Sequence, residues 1–261
     1  MSMYPASIPV LTYHQITDQD PPDDPARFAV SRKQFARQMA FLHDRGYQCL
    51  PPTTFLAPPD EIGLLPKRAF VLTFDDGYAN FLENAYPVLD HFGFTAALFV
   101  VTDYVGQRSS WGSDQGTPLL NWDQIRFLHR QGVTIGSHTC THPRLSRLLV
   151  EDIRRELSAS KAKIEAELDH EAALLAYPYG DSNDRVQSLA REIGYQAAFA
   201  VTQGDRQRFN LWRCLSRTDD NLFTLVFKLS SLNRRLKWLK DETTLGQTLR
   251  RLKRQWLAGQ G

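Results

Sequence analysis

The run Phe70-Val71-Leu72-Thr73-Phe74-Asp75-Asp76-Gly77-Tyr78 joins a short apolar stretch to two adjacent carboxylates and a glycine. Apolar on both faces and ended by a turn signal, Phe70 to Phe74 predicts a strand buried in a parallel sheet. Asp75 and Asp76 then lie at its C-terminal end, where parallel α/β sheets and barrels place their sites. Gly77 lets the backbone turn closely there. Two neighbouring carboxylates repel each other unless a cation sits beside them.

Comparable runs recur at Pro9 to Tyr13, Ala96 to Val101, Val133 to Gly136, Ala173 to Tyr177 and Ala197 to Val201. Segments of helical period separate them. Ser31 with Gln34 predicts a capping box ahead of Phe35, Met39 and Leu42, ended by Gly46; Asn121 with Gln124 predicts another ahead of Ile125 and Leu128, ended by Gly132. Ile153, Leu157, Ile164 and Leu168 mark a third, longer helix with a charged outer face. Strands alternating with helices define an α/β sheet or barrel. The proline- and acid-rich segments from Asp18 to Ala26 and from Ala57 to Pro66 read as surface loops.

A second polar segment, Ser137-His138-Thr139-Cys140-Thr141-His142, follows the strand predicted at Val133 to Gly136. Four-residue spacing puts His138 and His142 on one face of a helical turn, within reach of one ion. Asp76, His138 and His142 together make the ligand set of a catalytic zinc-type site, with three nitrogen and oxygen donors and an open position for water. Asp75 is left beside the metal as a candidate proton acceptor, and metal-assisted hydrolysis is the expected chemistry. Cys140, two residues from each histidine, is expected to be a small buried residue rather than a ligand.

At 261 residues, 42% hydrophobic and 23% charged, with no Pro/Gly/Ser-rich linker, the chain is expected to fold around one sizeable core. A formal net charge of +2 gives no reason to expect nucleic acid. Cys49, Cys140 and Cys214 are too few for a disulfide framework, and a reducing compartment suits them. Met1 to Pro9 lacks the basic and apolar regions of a signal peptide, and no window reaches the apolar length of a membrane span. The chain as given is therefore expected in the cytoplasm.

Three motifs in register carry a family resemblance. Thr73 to Tyr78 matches a T-F-D-D-G-like run, Ser137 to His142 an S/T-H-x-x-x-H run, and Tyr177-Pro178-Tyr179-Gly180 a run ending in P-Y-G. From about Pro9 to about Ser216 the chain resembles the polysaccharide deacetylases of carbohydrate esterase family four, whose shared unit is the NodB homology domain. The resemblance implies a distorted (β/α) barrel and hydrolysis of the N-acetyl groups of an acetylated amino-sugar glycan. It implies Asp75 as general base, Asp76, His138 and His142 as ligands of a divalent metal, with zinc the first expectation, and the backbone N–H of Tyr179 as an oxyanion donor.

The sequence departs from the common family pattern twice. No C-terminal L-x-H motif supplies the acid histidine; instead Leu11-Thr12-Tyr13-His14 resembles the Y-H element of a permuted branch containing bacterial poly-N-acetylglucosamine deacetylases, which assigns the acid role to His14. Ala176 stands where many members have an arginine that steadies the catalytic aspartate. Arg213 is a candidate substitute, although a surface role is the expectation for it.

Tyr78, Trp122 and Tyr177, with Trp111 and Pro178, lie near the motifs and are candidates for contact with the sugar. Residues 1–232 are assigned to the NodB homology domain and 233–261 to a basic, amphipathic helical tail. From Lys228 to Arg254 that region interleaves Arg234, Arg235, Lys237, Lys240, Arg250, Arg251, Lys253 and Arg254 with leucines and tryptophans, against only Asp241 and Glu242. It suits either packing against the domain or peripheral contact with anionic lipid. No protein partner is expected. Two alternatives stay open: a metal-dependent amidohydrolase for a small non-sugar amide, and a silent glycan-binding module that keeps its metal for structure.

Overall fold

Alternation along each strand sorts the apolar residues of this chain into two layers. The computed structural model describes residues 8–18, 28–58, 62, 65–112, 115–201 and 204–242, with side chains to Lys237. The predicted loops at Asp18 to Ala26 and Ala57 to Pro66, and the tail residues from 243 on, therefore lie wholly or partly outside the described residues. So do the side chains of Trp238, Leu239 and Lys240.

In chain order the strands are β1 (Val10–Tyr13), β2 (Gln15–Thr17), β3 (Ala29–Ser31), β4 (Gln48–Cys49), β5 (Ala69–Phe74), β6 (Ala97–Val100), β7 (Thr134–Ser137), β8 (Leu174–Ala176), β9 (Ala197–Ala200), β10 (Leu211–Trp212) and β11 (Cys214–Leu215). The α-helices are α1 (Arg32–Asp44), α2 (Tyr86–His91), α3 (Trp122–Arg130), α4 (Val150–Leu168), α5 (Asp184–Ile193), α6 (Leu222–Leu229) and α7 (Ser231–Glu242). All six predicted strands are present. The nine-stranded sheet runs β10-β9-β8-β7-β6-β5-β1-β11, with β4 beside β5, and every pairing in it is parallel.

The two ends of that order are one stretch of chain. Leu211 and Trp212 pair with β9, and Cys214 and Leu215 pair with β1. Residues 211–215 thus bridge the first and last strands and bring the sheet nearly to closure, as expected of a distorted (β/α) barrel.

Val10, Val71, Ala97, Phe99, Leu174, Ala176, Ala197, Phe199 and Leu211 pack together as the inner layer. Their sequence neighbours Leu11, Phe70, Leu72, Leu98 and Ile135 pack outward with residues of the surrounding helices. Successive strand residues point to opposite faces, so Thr12, Thr73 and Arg213 follow the inner layer. Gly136 is required on that face, since a Cβ there would lie 2.5 Å from the Phe99 ring.

The capping box predicted at Asn121 and Gln124 forms in full, with both bonds at 2.9 Å. The one at Ser31 forms by half. Ser31 Oγ accepts from Gln34 N–H, but the Gln34 side chain turns away to the Asp220 carbonyl, 2.5 Å distant. That bond draws α1 toward the turn before α6, a tertiary demand that the local motif does not contain.

The first turns of the basic tail lie on the domain. Asn233 donates to the Lys228 carbonyl, and Lys237 donates to the Gly204 carbonyl with its Nζ 5.4 Å from the centre of the Trp212 ring. Among the described residues no helix is long and apolar enough to cross a membrane.

Candidate active site

Continuing the inward alternation two residues past each strand's last inner position collects the site. After Val10 and Thr12 comes His14; after Val71 and Thr73 comes Asp75; after Gly136 comes His138; after Leu211 comes Arg213. Asp76 breaks the alternation. Its φ is +73°, and Gly77 follows at +75°, so two consecutive left-handed residues swing the Asp76 carboxylate back toward the histidines. Gly77 suits this turn doubly, because a Cβ would also meet Val100 Cγ1 at 3.2 Å. A non-glycine residue in this region is strained, and such strain concentrates at functional positions.

Asp76, His138 and His142 are all buried, with one ligand atom from each within 4.8 Å of the others. His138 Nδ1 donates to the Ala176 carbonyl at 2.7 Å, which leaves the Nε2 lone pair directed at Asp76, 3.5 Å away. His142 Nε2 is 3.2 Å from Asp76 Oδ1. Among the described residues Asp76 Oδ1 and His142 Nδ1 are nonetheless buried without a hydrogen-bond partner. A buried carboxylate oxygen flanked by two imidazole nitrogens is an environment that a bound cation would satisfy. With a nitrogen–nitrogen–oxygen donor set, the residues fit a divalent first-row cation.

Burial pulls the His138 pKa down to about 4 despite the nearby Asp75 and Asp76, so the ring is neutral and able to ligate at neutral pH. Burial also pushes on Asp76 in the direction of protonation, but contact with His142 and the neighbouring imidazoles outweighs it and holds the carboxyl well below its usual range.

The histidines do not share a helical turn as the spacing predicts. Residues 138–142 are an irregular loop in which Thr139 and His142 have φ of +71° and +62°. A buried residue of α4 holds it: Glu156 Oε2 accepts from the N–H groups of Cys140 and Thr141, both at 2.9 Å, and Oε1 accepts from Thr141 Oγ1 at 2.7 Å. Ser160, one turn on, bonds Ser137 at 2.8 Å. Cys140 is buried beside the Glu156 carbonyl and outside the ligand cluster, as expected.

Arg213 is not at the surface. It is 1% exposed, and its Nη1 and Nη2 donate to Asp75 Oδ1 and Oδ2 at 2.6 and 2.7 Å. Nη1 also reaches Thr73 Oγ1, and the guanidinium lies over the inner-layer rings of Phe99 and Phe199. A lone charge there would cost several kcal/mol, and the matched bidentate partner offsets part of that cost. Burial favours protonated Asp75, but Arg213 prevails, helped by His138 and His14, and keeps the carboxyl below its usual range.

His14 faces the same carboxylate, with Nε2 4.0 Å from Asp75 Oδ2. That is too long for a hydrogen bond. The ring is stacked on Phe28 at 4.7 Å, and among the described residues Nδ1 has no hydrogen-bond partner.

Tyr179 closes another side. Its φ is +59°, its ring lies 4.6 Å from the His142 ring, and it remains 44% exposed with Arg144 stacked 4.1 Å above it. Trp111 stacks on His142 from within at 4.6 Å. The sugar-stacking roles expected of Tyr78 and Tyr177 are corrected: both rings are fully buried, Tyr78 against Val101, Trp111 and Leu119, and Tyr177 with its hydroxyl on the Phe209 carbonyl. Pro178 is buried in the turn before Tyr179. Trp122 is half-buried against the main core at the start of α3, and among the described residues it makes no ring contact with the cluster.

Fold and site define a class: a parallel α/β barrel whose mouth holds a cluster of two histidines and one aspartate, able to hold a cation, beside an arginine-held carboxylate. A sequence profile of the polysaccharide deacetylase family matches residues 63–198. The chain belongs to that family.

YxkH of Bacillus subtilis (strain 168), whose assignment as a polysaccharide deacetylase is provisional, is 28% identical over 204 residues, 78% of this chain and 68% of that protein. The poly-β-1,6-N-acetyl-D-glucosamine N-deacetylase of Staphylococcus aureus (strain MRSA252) is 24% identical over 185 residues, and the match spans 67% of this chain but 62% of that enzyme. Among solved structures, the Streptococcus pyogenes deacetylase PplD in complex with acetate superposes with a TM-score of 0.75 at 25% identity, covering 85% of this chain and 98% of that one. IcaB from Ammonifex degensii shares the fold, with a TM-score of 0.71 at 24% identity over 88% of this chain and 100% of that one.

Proposed function

We propose that this protein is a metal-dependent deacetylase that removes N-acetyl groups from an acetylated amino-sugar glycan and releases acetate. The observation that carries this reading is the placement of Asp75, ionised and held by Arg213, beside the Asp76, His138 and His142 cluster, with His14 facing the same carboxylate. Asp75 keeps lone pairs free beside the cluster while Arg213 holds it ionised, an arrangement that a silent binding module would not require. Similarity to an enzyme that deacetylates poly-N-acetylglucosamine supports the substrate class, and the exposed Tyr179 ring beside His142 suits a sugar better than a closed pocket would.

Asp76, His138 and His142 would hold a divalent cation, zinc by first preference, which when bound acidifies water and polarises an amide carbonyl. Asp75 accepts the proton of the water that attacks the acetyl carbon. Each of its oxygens spends one lone-pair direction on Arg213 and keeps another for this proton. The Tyr179 N–H is assigned to the oxyanion that develops on the acetyl oxygen. His14 delivers a proton to the sugar nitrogen as the C–N bond breaks, leaving acetate and a free amine.

The test is acetate release from N-acetylglucosamine oligomers by chelated protein, before and after a divalent cation is restored. Recovery on zinc or another first-row ion is the expected result. Failure on all acetylated amino sugars, with the cation bound, would shift the reading to a small non-sugar amide.

A further inference from the structure

The two consecutive helices α6 and α7 turn apolar side chains to solvent. On α6, Leu225 and Leu229 are buried, while Phe223, Val226 and Phe227 are 80%, 40% and 39% exposed. Positions 223, 226 and 227 share one helical face. On α7, Leu232 and Leu236 lie one turn apart and are 55% and 47% exposed. Single exposed apolar residues are ordinary, but a run of five along two linked helices marks an interaction surface.

Charge is segregated to the same region. Residues 222–261 contain Lys228, Arg234, Arg235, Lys237, Lys240, Arg250, Arg251, Lys253 and Arg254 against Asp241 and Glu242, although the whole chain balances 31 basic with 29 acidic residues. The rest of the chain is therefore net negative. Lys228 is committed inward to Asp220 and the Leu215 carbonyl, and Arg234 and Lys237 each donate to a backbone carbonyl. Arg235 is exposed between Leu232 and Leu236, and the sequence continues with further basic residues set among Leu249, Leu252 and Trp256.

We infer that this face docks on the surface of an anionic lipid bilayer. Such a surface answers both features at once: the headgroup boundary accepts apolar side chains, and the anionic headgroups attract the basic segment. A second copy of the chain would cover the apolar residues but would bring two strongly basic segments together. Nucleic acid would meet the charge and leave Phe223 and Phe227 without an apolar partner. The docking is independent of the chemistry at the barrel mouth.

Cosedimentation of the full chain with phosphatidylcholine vesicles, with and without phosphatidylglycerol, tests this. Binding is expected only with phosphatidylglycerol, and added salt weakens it. The pair Phe223→Ser and Phe227→Ser, and separately the pair Leu232→Ser and Leu236→Ser, each lowers binding at least about tenfold. These side chains are exposed, so thermal unfolding and hydrolysis of soluble substrate stay as in wild type. Wild type that remains in the supernatant with phosphatidylglycerol vesicles overturns the inference. So does unchanged binding in both paired variants, or a wild-type dimer that either pair converts to monomer, since the face would then be a contact between copies.

Discussion

The Arg213 guanidinium meets the Asp75 carboxylate fork to fork, at 2.6 and 2.7 Å, across 138 residues of sequence. Arg213 lies between the two residue pairs that bridge β9 and β1, so the strand that brings the barrel to closure also holds the carboxylate. The contact that closes the barrel therefore also positions the carboxylate proposed as proton acceptor.

Replacing Arg213 with Met leaves Asp75 buried without its main counter-charge, and the loss of one partner of a buried pair costs about 3–5 kcal/mol. The carboxyl pKa then rises, because burial is no longer opposed. The acid limb of kcat/KM should move to higher pH in Arg213→Met. Arg213→Lys, which keeps the charge but not the fork, should fall between. A limb that does not move would separate Arg213 from the chemistry.

The same pair predicts how stability responds to acid. Asp75 is more acidic folded than unfolded, so its contribution is complete above the ordinary carboxylate pKa of about 4 and declines as pH falls through the depressed folded value. A bound cation acts on Asp75 with the same sign. The melting temperature should therefore fall below that pH in wild type and fall less steeply in Asp75→Asn, as followed by circular dichroism.

Glu156 should control metal affinity without touching the metal. Its carboxylate holds the N–H groups of Cys140 and Thr141, and outer partners of this kind are commonly worth about 10–100-fold in affinity. Glu156→Ala should weaken zinc binding by that order in a chelator competition and destabilise the fold by about 1–3 kcal/mol. Glu156→Gln, which keeps an acceptor, should recover part of the affinity. Equal zinc affinity in all three proteins would contradict the role.

His14 is expected to affect turnover and not metal content. Loss of a general acid commonly costs about 10²–10⁴-fold, so His14→Ala should lose kcat by that order while binding zinc as wild type does. If full activity remains, the acid is another group.

Much of this site was legible in the primary structure because its strands are continuous apolar runs, and alternation carries their inward faces to His14, Asp75 and His138. Arg213 is legible as a candidate partner of Asp75 but not as a buried one, because residues 211–215 pair by only two residues on each side, too short a stretch to show which way its side chain faces. The signal was there: Leu211 and Arg213 alternate with Trp212 and Cys214, in phase with an inner and an outer face. Glu156 was hidden in a charged helix, although it falls on the same side as Ile153 and Ser160. The loop between the histidines is not legible because the left-handed conformations of Thr139 and His142, and the hold of Glu156 on Cys140 and Thr141, leave no trace in residue spacing. Tyr78 and Tyr177 were assigned to the sugar by proximity along the chain, which says nothing of which way a ring faces.

The central claim is that Asp75 is the proton acceptor beside a cation that it does not bind. It is tested by measuring acetate release from N-acetylglucosamine oligomers by wild type and Asp75→Asn, with bound metal and folded fraction quantified in both. The account predicts that Asp75→Asn stays folded, keeps its metal and loses hydrolysis by at least about 10²-fold. Hydrolysis near the wild-type rate with metal bound would contradict it.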